Sequence, residues 1–293
     1  MNLTELIHKR LAETDGIARE LTRFCGKPAV FTPEAPSDEA SGWGGSSHYP
    51  RIVFAVDLSA NEERKCQGSM VLSVYAENDG TFDFNGAVNW VIQRLCSVLL
   101  TPAGGSPYAL AWSRTDGFIL EGTNIAGQEL QFDILEYPSQ ETSDPDPIDA
   151  VNAYLKDVFP EALVLWYDRW GETEGMDRTR PVLYCRLEAL AEDQTRSTFA
   201  VSWMGCSLAI HIFCAGQDAR GKYSRAVQQR LAMDGELDML DGSPMLVTAV
   251  SQDKASDYLR AGQVKVSALF GILRQTEKKK RIRTIQVDYQ NGG

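Results

Sequence analysis

The chain carries one pattern twice. RPVLYCRLEAL at 180–190 answers YPRIVFAVDLS at 49–59, with Pro181 standing 131 positions after Pro50. GCSLAIHIFCAG (205–216) answers GSMVLSVYAEND (68–79) at a shift of 137, and VQQRL (227–231) answers VIQRL (91–95) at 136. DGSPMLVTAV (241–250) answers GGSPYALAWS (104–113) at 137, and GQVKVSALFGIL (262–273) answers GQELQFDILEYP (127–138) at 135. Chance matches would scatter in order and offset. Five in one order at nearly one offset point to a tandem duplication. The single jump, from 131 to 137, falls between the strands of a hairpin, where insertions are best tolerated.

Inside the first copy the elements read plainly. Asn2 with Glu5 forms a capping-box pattern, and Leu3, Leu6, Ile7 and Leu11 follow at helical spacing. Ile17, Leu21 and Phe24 suggest a second short helix, and Ala29 to Phe31 a short strand. Thr32 to His48 is rich in Pro, Ser and Gly and reads as a loop. Ile52 to Val56 is a nearly continuous apolar run, as in a strand covered on both faces. The return strand, Met70 to Ala76, ends at the turn signal Asn78-Asp79-Gly80. Residues 86–100 then place Val88, Val91, Leu95 and Val98 on one helical face. Tyr108 to Arg114 and Gln128 to Tyr137 read as two more strands.

The expected fold class is α+β, with two tandem, duplicated α/β units. The first spans 1–138 and the second 148–273. Between them, 139–147 is a Pro, Ser and acidic linker, closing on Asp146 as N-cap and Pro147 as first-turn proline. Residues 274–293 hold a basic run, Lys278, Lys279, Lys280 and Arg281, before a β-like alternation. The composition favours a solvated turn leading into an edge strand; the sharper alternative is an arm that pairs with a neighbouring sheet edge.

Composition narrows the function classes. A hydrophobic content of 43% with 24% charged residues belongs to a folded chain. A net charge of −11 disfavours free DNA or an anionic membrane as the main partner. Six cysteines occur with no CxxC pair, the usage of buried, reduced thiols. The opening MNLTELIHKR is charged and amphipathic, unlike a secretory signal, and no apolar run approaches about 18 residues. A soluble protein made in a cytoplasm is the expectation.

Chemistry is harder to find. The three histidines, His8, His48 and His211, have no nucleophile motif near them. No GxSxG, HExxH, Walker A or GxGxxG pattern occurs, and no spacing suits zinc or iron. Asp57, Glu62, Glu63, Asp144, Asp146, Glu188 and Asp193 lie in charged loops or at strand ends, where solvation is the default. No catalytic, cofactor or metal residue is therefore nominated. Interface residues are. Asn61, Glu62, Glu63, Arg64 and Lys65 form a charged turn that cannot enter a core unpartnered. Asp193 and Arg196 lie in the matching turn of the second copy, and Lys278 to Arg281 form the basic run. Trp43 is the only large apolar residue in its loop, so it is either a local clasp or an anchor for a partner.

NLTELIHKRLAE with KPAVFTPEAPSDEASGW, the hairpin from Tyr49 to Glu77, and QELQFDILEYPSQETSDPDP together resemble a known family. They are similar to the tail-completion, or tail-terminator, proteins of tailed bacteriophages and prophages. RPVLYCRLEAL, LDGSPMLVTAV and GQVKVSALFGIL resemble the second domain of two-domain versions, so the likeness covers essentially the whole chain. It implies domains with helices on one side of a mostly antiparallel sheet, each with a long hairpin. It also implies a virion protein at the head-proximal end of the tail, assembled in the bacterial cytoplasm. There a homo-oligomeric ring, a hexamer or a trimer of duplicated chains, would stop the tail tube and join it to the head connector. Its partners would be further copies of itself, the major tail tube protein and connector proteins. DNA would pass through the ring without specific binding. The alternatives are another virion ring, of the connector or baseplate, or a ligand-binding protein or enzyme whose site is built from scattered residues.

Overall fold

Asn2 accepts from the Glu5 amide while the Glu5 carboxylate accepts from the Asn2 amide, so the first helix starts on a complete capping box. From there the chain alternates elements in one order, twice. The computed structural model describes residues 1–274 apart from 14, 46 and 178. The first unit contains α1 (Leu3–Ala12), the small hairpin β1 (Arg23–Phe24) and β2 (Lys27–Pro28), then β3 (Val30–Phe31), β4 (Arg51–Asp57) and β5 (Gly68–Glu77). It continues with α2 (Phe84–Cys96), β6 (Val98–Leu100), β7 (Tyr108–Ile119) and β8 (Ile125–Glu136). The second unit contains α3 (Pro147–Val158), β9 (Leu163–Val164), β10 (Thr173–Gly175), β11 (Val182–Glu192) and β12 (Val201–Phe213). It closes with α4 (Gln217–Asp234), β13 (Glu236–Asp238), β14 (Pro244–Gln252) and β15 (Val264–Leu273).

The sheets make the repeat explicit. One runs β10-β6-β7-β8-β5-β4-β3, with β10 added at its edge from the second unit, and the other β13-β14-β15-β12-β11-β9. In each, only the last pair is parallel, β3 with β4 and β9 with β11. Both sheets carry a bulge in the last hairpin of their unit, at Ser113 and at Thr248. In both, the bulged hydroxyl donates to a carbonyl across the ladder, that of Gln131 or Ser267. The chain is thus α+β, in two tandem units with helices against one face of a mostly antiparallel sheet.

Pairing also adjusts the sequence alignment. Matching Gly68 to Gly205 would put the buried Met70, Leu72 and Val74 opposite residues on the wrong face of β12. Val74 faces Ile52 and Ile212 faces Leu183, all four buried against helices, so the strands correspond at 138. A one-residue slip inverts every side chain, which the glycine match could not sense. Other boundaries move too. The helix expected to reach residue 100 ends at Cys96, and Val98 to Leu100 form β6. The short helix near Ile17 is one turn of 3₁₀ helix, Gly16–Arg19, followed by β1 rather than further helix.

Each sheet buries its helix-facing side: Leu6, Leu11, Val91 and Leu95 against Ile52, Leu72 and Ile134 in the first unit, and Val151, Leu155, Val227 and Leu231 against Leu183, Ile210 and Val266 in the second. A third apolar cluster joins the units. Leu99, Ala109, Leu135 and Tyr137 of the first meet Leu163, Val182, Tyr184 and Phe213 of the second. All of these lie on the faces turned away from the helices. β10 strengthens the junction, since it belongs to the second unit by sequence but pairs with β6 of the first sheet. The 274–293 segment, with Lys278, Lys279, Lys280 and Arg281, lies outside the described residues beyond Arg274. Tyr137 is 2% exposed, and its hydroxyl donates to the Leu259 carbonyl at 3.0 Å. Tyr137→Ala should cost about 3–5 kcal/mol, the usual price of emptying a buried aromatic site. Tyr137→Phe, which only strands one carbonyl, should cost about 1 kcal/mol. Urea unfolding of both variants measures the difference.

Candidate functional site

The nominated residues go to different places. Trp43 is a local clasp: its ring packs edge-on to Phe24 and Phe31 at centroid distances of 5.1 and 5.6 Å. Its indole N–H donates to the Ser37 carbonyl, and the Arg51 guanidinium stands 5.8 Å from its ring. Asp193 and Arg196 form an exposed pair in the β11–β12 turn, where the Asp193 carboxylate also accepts from the amide and hydroxyl of Thr195. Those hydrogen bonds hold the Asp193 carboxyl below its ordinary pKa. Neither residue reaches the 61–65 turn through a contact the structure records.

The 61–65 turn is divided. Asn61 and Cys66 bridge across it, and the Asn61 side chain accepts from the Arg64 amide. Glu62, Glu63 and Lys65 are exposed. Arg64 instead faces its own chain: its guanidinium lies 2.8 Å from the carboxylate of Asp133, which is 3% exposed. The other Asp133 oxygen meets the guanidinium of Arg260, from the β14–β15 loop of the second unit. Arg260 also donates to the Arg64 carbonyl at 2.9 Å and pairs with Asp257 at 2.5 Å. One buried carboxylate thus holds two arginines from the two units. Arg64 nevertheless stays exposed, its side chain 44% accessible, beside Glu62, Glu63 and Lys65.

Sequence reading passed over Asp133 because a single acid inside FDILEYP resembles strand alternation. The usable signal is that Asp133, Leu135 and Tyr137 share the face opposite Phe132 and Ile134. Apolar residues on both faces mean a strand covered twice. An acid among them needs a cation.

His211 sits deeper in the same seam. It is fully buried among the rings of Tyr137, Tyr184 and Phe213, and its Nδ1 lies 2.9 Å from the Tyr258 carbonyl. That contact fixes Nδ1–H as the donor and leaves Nε2 as an unpaired acceptor. Burial, with help from Arg186, lowers its pKa to about 4. The residue is held neutral at neutral pH. His8 bonds the Val30 carbonyl and His48 lies 3.7 Å from Asp38, so the three histidines are far apart in role.

The remaining candidates are structural in their contacts. Asp146 caps α3 through the Ile148 amide, Asp57 accepts from Ser59, and Glu188 pairs with Lys265 and Arg186. Burial raises the Cys206 thiol to about 11 and pushes Cys185 up further, so neither offers a thiolate. Among the described residues, no three His, Cys, Asp or Glu side chains gather as a metal would require. No described helix is long and apolar enough to cross a membrane. An open cavity of about 720 Å³ lies beside the first turn of α4, bordered by Arg220, Arg225, Lys254 and Tyr258. Arg220 is engaged there, stacked 4.0 Å from the Tyr258 ring and bonded to the Cys214 carbonyl.

What the geometry builds, then, is a junction with exposed projections. Large apolar side chains stand exposed at strand ends and in a turn: Ile119 at the end of β7 at 66% exposure, Phe199 in the β11–β12 turn at 86% and Leu273 at the end of β15 at 79%. A scan against protein-family models found no match, and a search of curated proteins found no relative.

Two tests address the junction. Asp133→Ala would leave two guanidinium groups facing each other and should destabilise the fold by about 3–5 kcal/mol. For His211, the unfolded chain takes up a proton below its ordinary pKa of about 6.5 while the folded chain resists until about 4. Its contribution is therefore complete above the higher value and is lost as pH falls through that window. Relative to His211→Gln, the native chain should lose about 2–3 kcal/mol between pH 7 and 4.5, read by urea unfolding at both pH values.

Proposed function

We propose that this chain is a structural assembly protein of a tailed phage or prophage, forming a ring that terminates the tail tube and joins it to the head connector. The observation that carries the reading is the duplicated layout itself. Two units of identical strand order are joined by a buried seam, and their hairpins project with large apolar residues in water. Phe199 and Leu273 come together where the Arg274 amide donates to the Ala200 carbonyl, and contiguous exposed apolar groups commonly serve protein contacts. The family resemblance supplies the tail-end position.

Ring assembly needs two different surfaces on each copy, complementary to one another. A chain of two like units, joined through unlike faces, has that asymmetry built in. Charged turns such as Glu62-Glu63 and Asp193 would set register and partner choice more than affinity. A connector or baseplate ring would use the same architecture, and labelling one end of assembled tails separates these positions.

Electron microscopy of the purified full-length chain is the direct test. Closed rings of uniform copy number are expected, and they should cap preformed tail tubes at one end only. A chain that stays monomeric at about 100 μM, well above the Kd of a specific interface, overturns the reading.

A further inference from the structure

The two units meet through unlike faces. The first supplies the corner of β7 and β8, with Ala109 and Leu135 as a cross-strand pair; the second supplies the outer face of β9, β11 and β12, with Val182, Tyr184 and Phe213. Because the units share one layout, each also possesses the face that the other uses here. Strand pairing locates both counterparts.

On the second unit, Leu237 faces Met245 in the place where Leu100 leads into Tyr108. The pair Ala109–Leu135 therefore corresponds to Leu246–Leu269. Around that pair the outer face continues with Trp203, laid beside Gly271, and Leu273, which faces Val201. Glu236 stands exposed across from Leu246, in the place of Leu99, and with Ser267 on β15 it forms the polar margin of this apolar patch. On the first unit, the buried row Val30, Ile52, Val74 matches Val164, Leu183, Ile212. Val53 then stands for Tyr184, Tyr75 for Phe213 and Arg51 for Val182.

Neither counterpart is sealed. Leu246, Trp203, Val53 and Tyr75 are half-buried, and Leu273 is mostly in water. The Arg51 guanidinium stands 4.5 Å from the Tyr49 ring and 5.9 Å from that of Tyr75, with its charge held by Asp38 at 2.8 Å. Its Nε is shut from water with no acceptor. The face thus presents rings and aliphatic carbon rather than a free charge, the chemistry its counterpart presents to Tyr137 inside the chain.

We propose that these two surfaces bind one another between copies of this chain. The β14–β15 corner of one copy, with Leu246, Leu269 and Trp203, docks on the outer face of β3–β5 of the next, with Val53 and Tyr75. The contact repeats between molecules the junction that the chain makes within itself. It is heterologous, so each addition leaves one of each surface free, and the array ends only by closing on itself. This assignment rests on the ring reading above and gives that ring its subunit contact.

Leu246→Asp blocks one surface and Val53→Asp the other, each placing a carboxylate in an apolar contact. Each variant alone should be monomeric by native mass spectrometry, with association weakened by about a hundredfold or more. Mixed one to one, the two should form a dimer and nothing larger, because each retains the surface its partner needs. Unchanged circular dichroism establishes that the variants fold. Should either misfold, hydrogen exchange of the unmodified chain serves instead: dilute against concentrated protein should differ at 51–56, 201–205 and 244–248. If the native chain assembles but the variants assemble equally well, the mixture gives no dimer, or exchange is unchanged at those segments, the surface is wrong and the ring reading stands. If the native chain does not assemble at all, both fail together.

Discussion

The structure turns on Tyr137 and the ring cluster around it. Its side chain leaves the end of the first sheet and packs against Tyr184 and Phe213 of the second, at centroid distances of 5.3 and 4.8 Å. Each hydroxyl finds a carbonyl: Tyr137 bonds Leu259, and Tyr184 bonds Pro138 in the connecting segment at 2.9 Å. Aromatic groups bury much area while keeping a polar handle, so a few of them can fix two units in orientation as well as in contact. The connecting segment is drawn into that arrangement. Gln140 accepts from the Leu187 amide, so the stretch that reads as a spacer also covers part of the open edge of β11.

At the rim of this apolar seam the control passes to charge. Asp133 could not be buried alone, and the arginines that compensate it come from opposite units. The pairing favours one relative placement: sliding the units would separate Arg260 from the Asp133 carboxylate and the Arg64 carbonyl, leaving the buried carboxylate with one guanidinium instead of two. β10 adds a third constraint by lending three residues to the neighbouring sheet. Apolar area, a satisfied charge cluster and a shared strand edge all favour the same geometry. With the seam set, the strand ends and turn that carry the exposed Ile119, Phe199 and Leu273 are held at fixed positions.

Much of this was written locally. The capping box at Asn2 and Glu5, the Asp146-Pro147 start of α3 and the apolar run of β4 each depend on neighbours a few residues away. The repeat could be read because both copies must satisfy the same internal packing, helix against sheet. The misreadings are equally local. Val98 and Leu99 continue a helical stripe by spacing, yet they pair as a strand with Gly175 and Glu174 of β10. The glycine match at 68 and 205 looked sound, but only cross-strand partners reveal which parity faces the helices.

The sequence by itself determined the fold class, the two-unit plan and the order of elements, because hydrophobic period and turn chemistry act over short distances. It left Trp43 open between clasp and anchor, and it offered Arg64 as a surface residue. Tertiary structure alone settled that Trp43 closes onto Phe24 and Phe31, that the exposed Arg64 pairs with the buried Asp133, and that His211 is sealed neutral between rings. Those outcomes depend on residues up to 196 positions apart, as Arg260 is from Arg64, and no local pattern encodes such a partner.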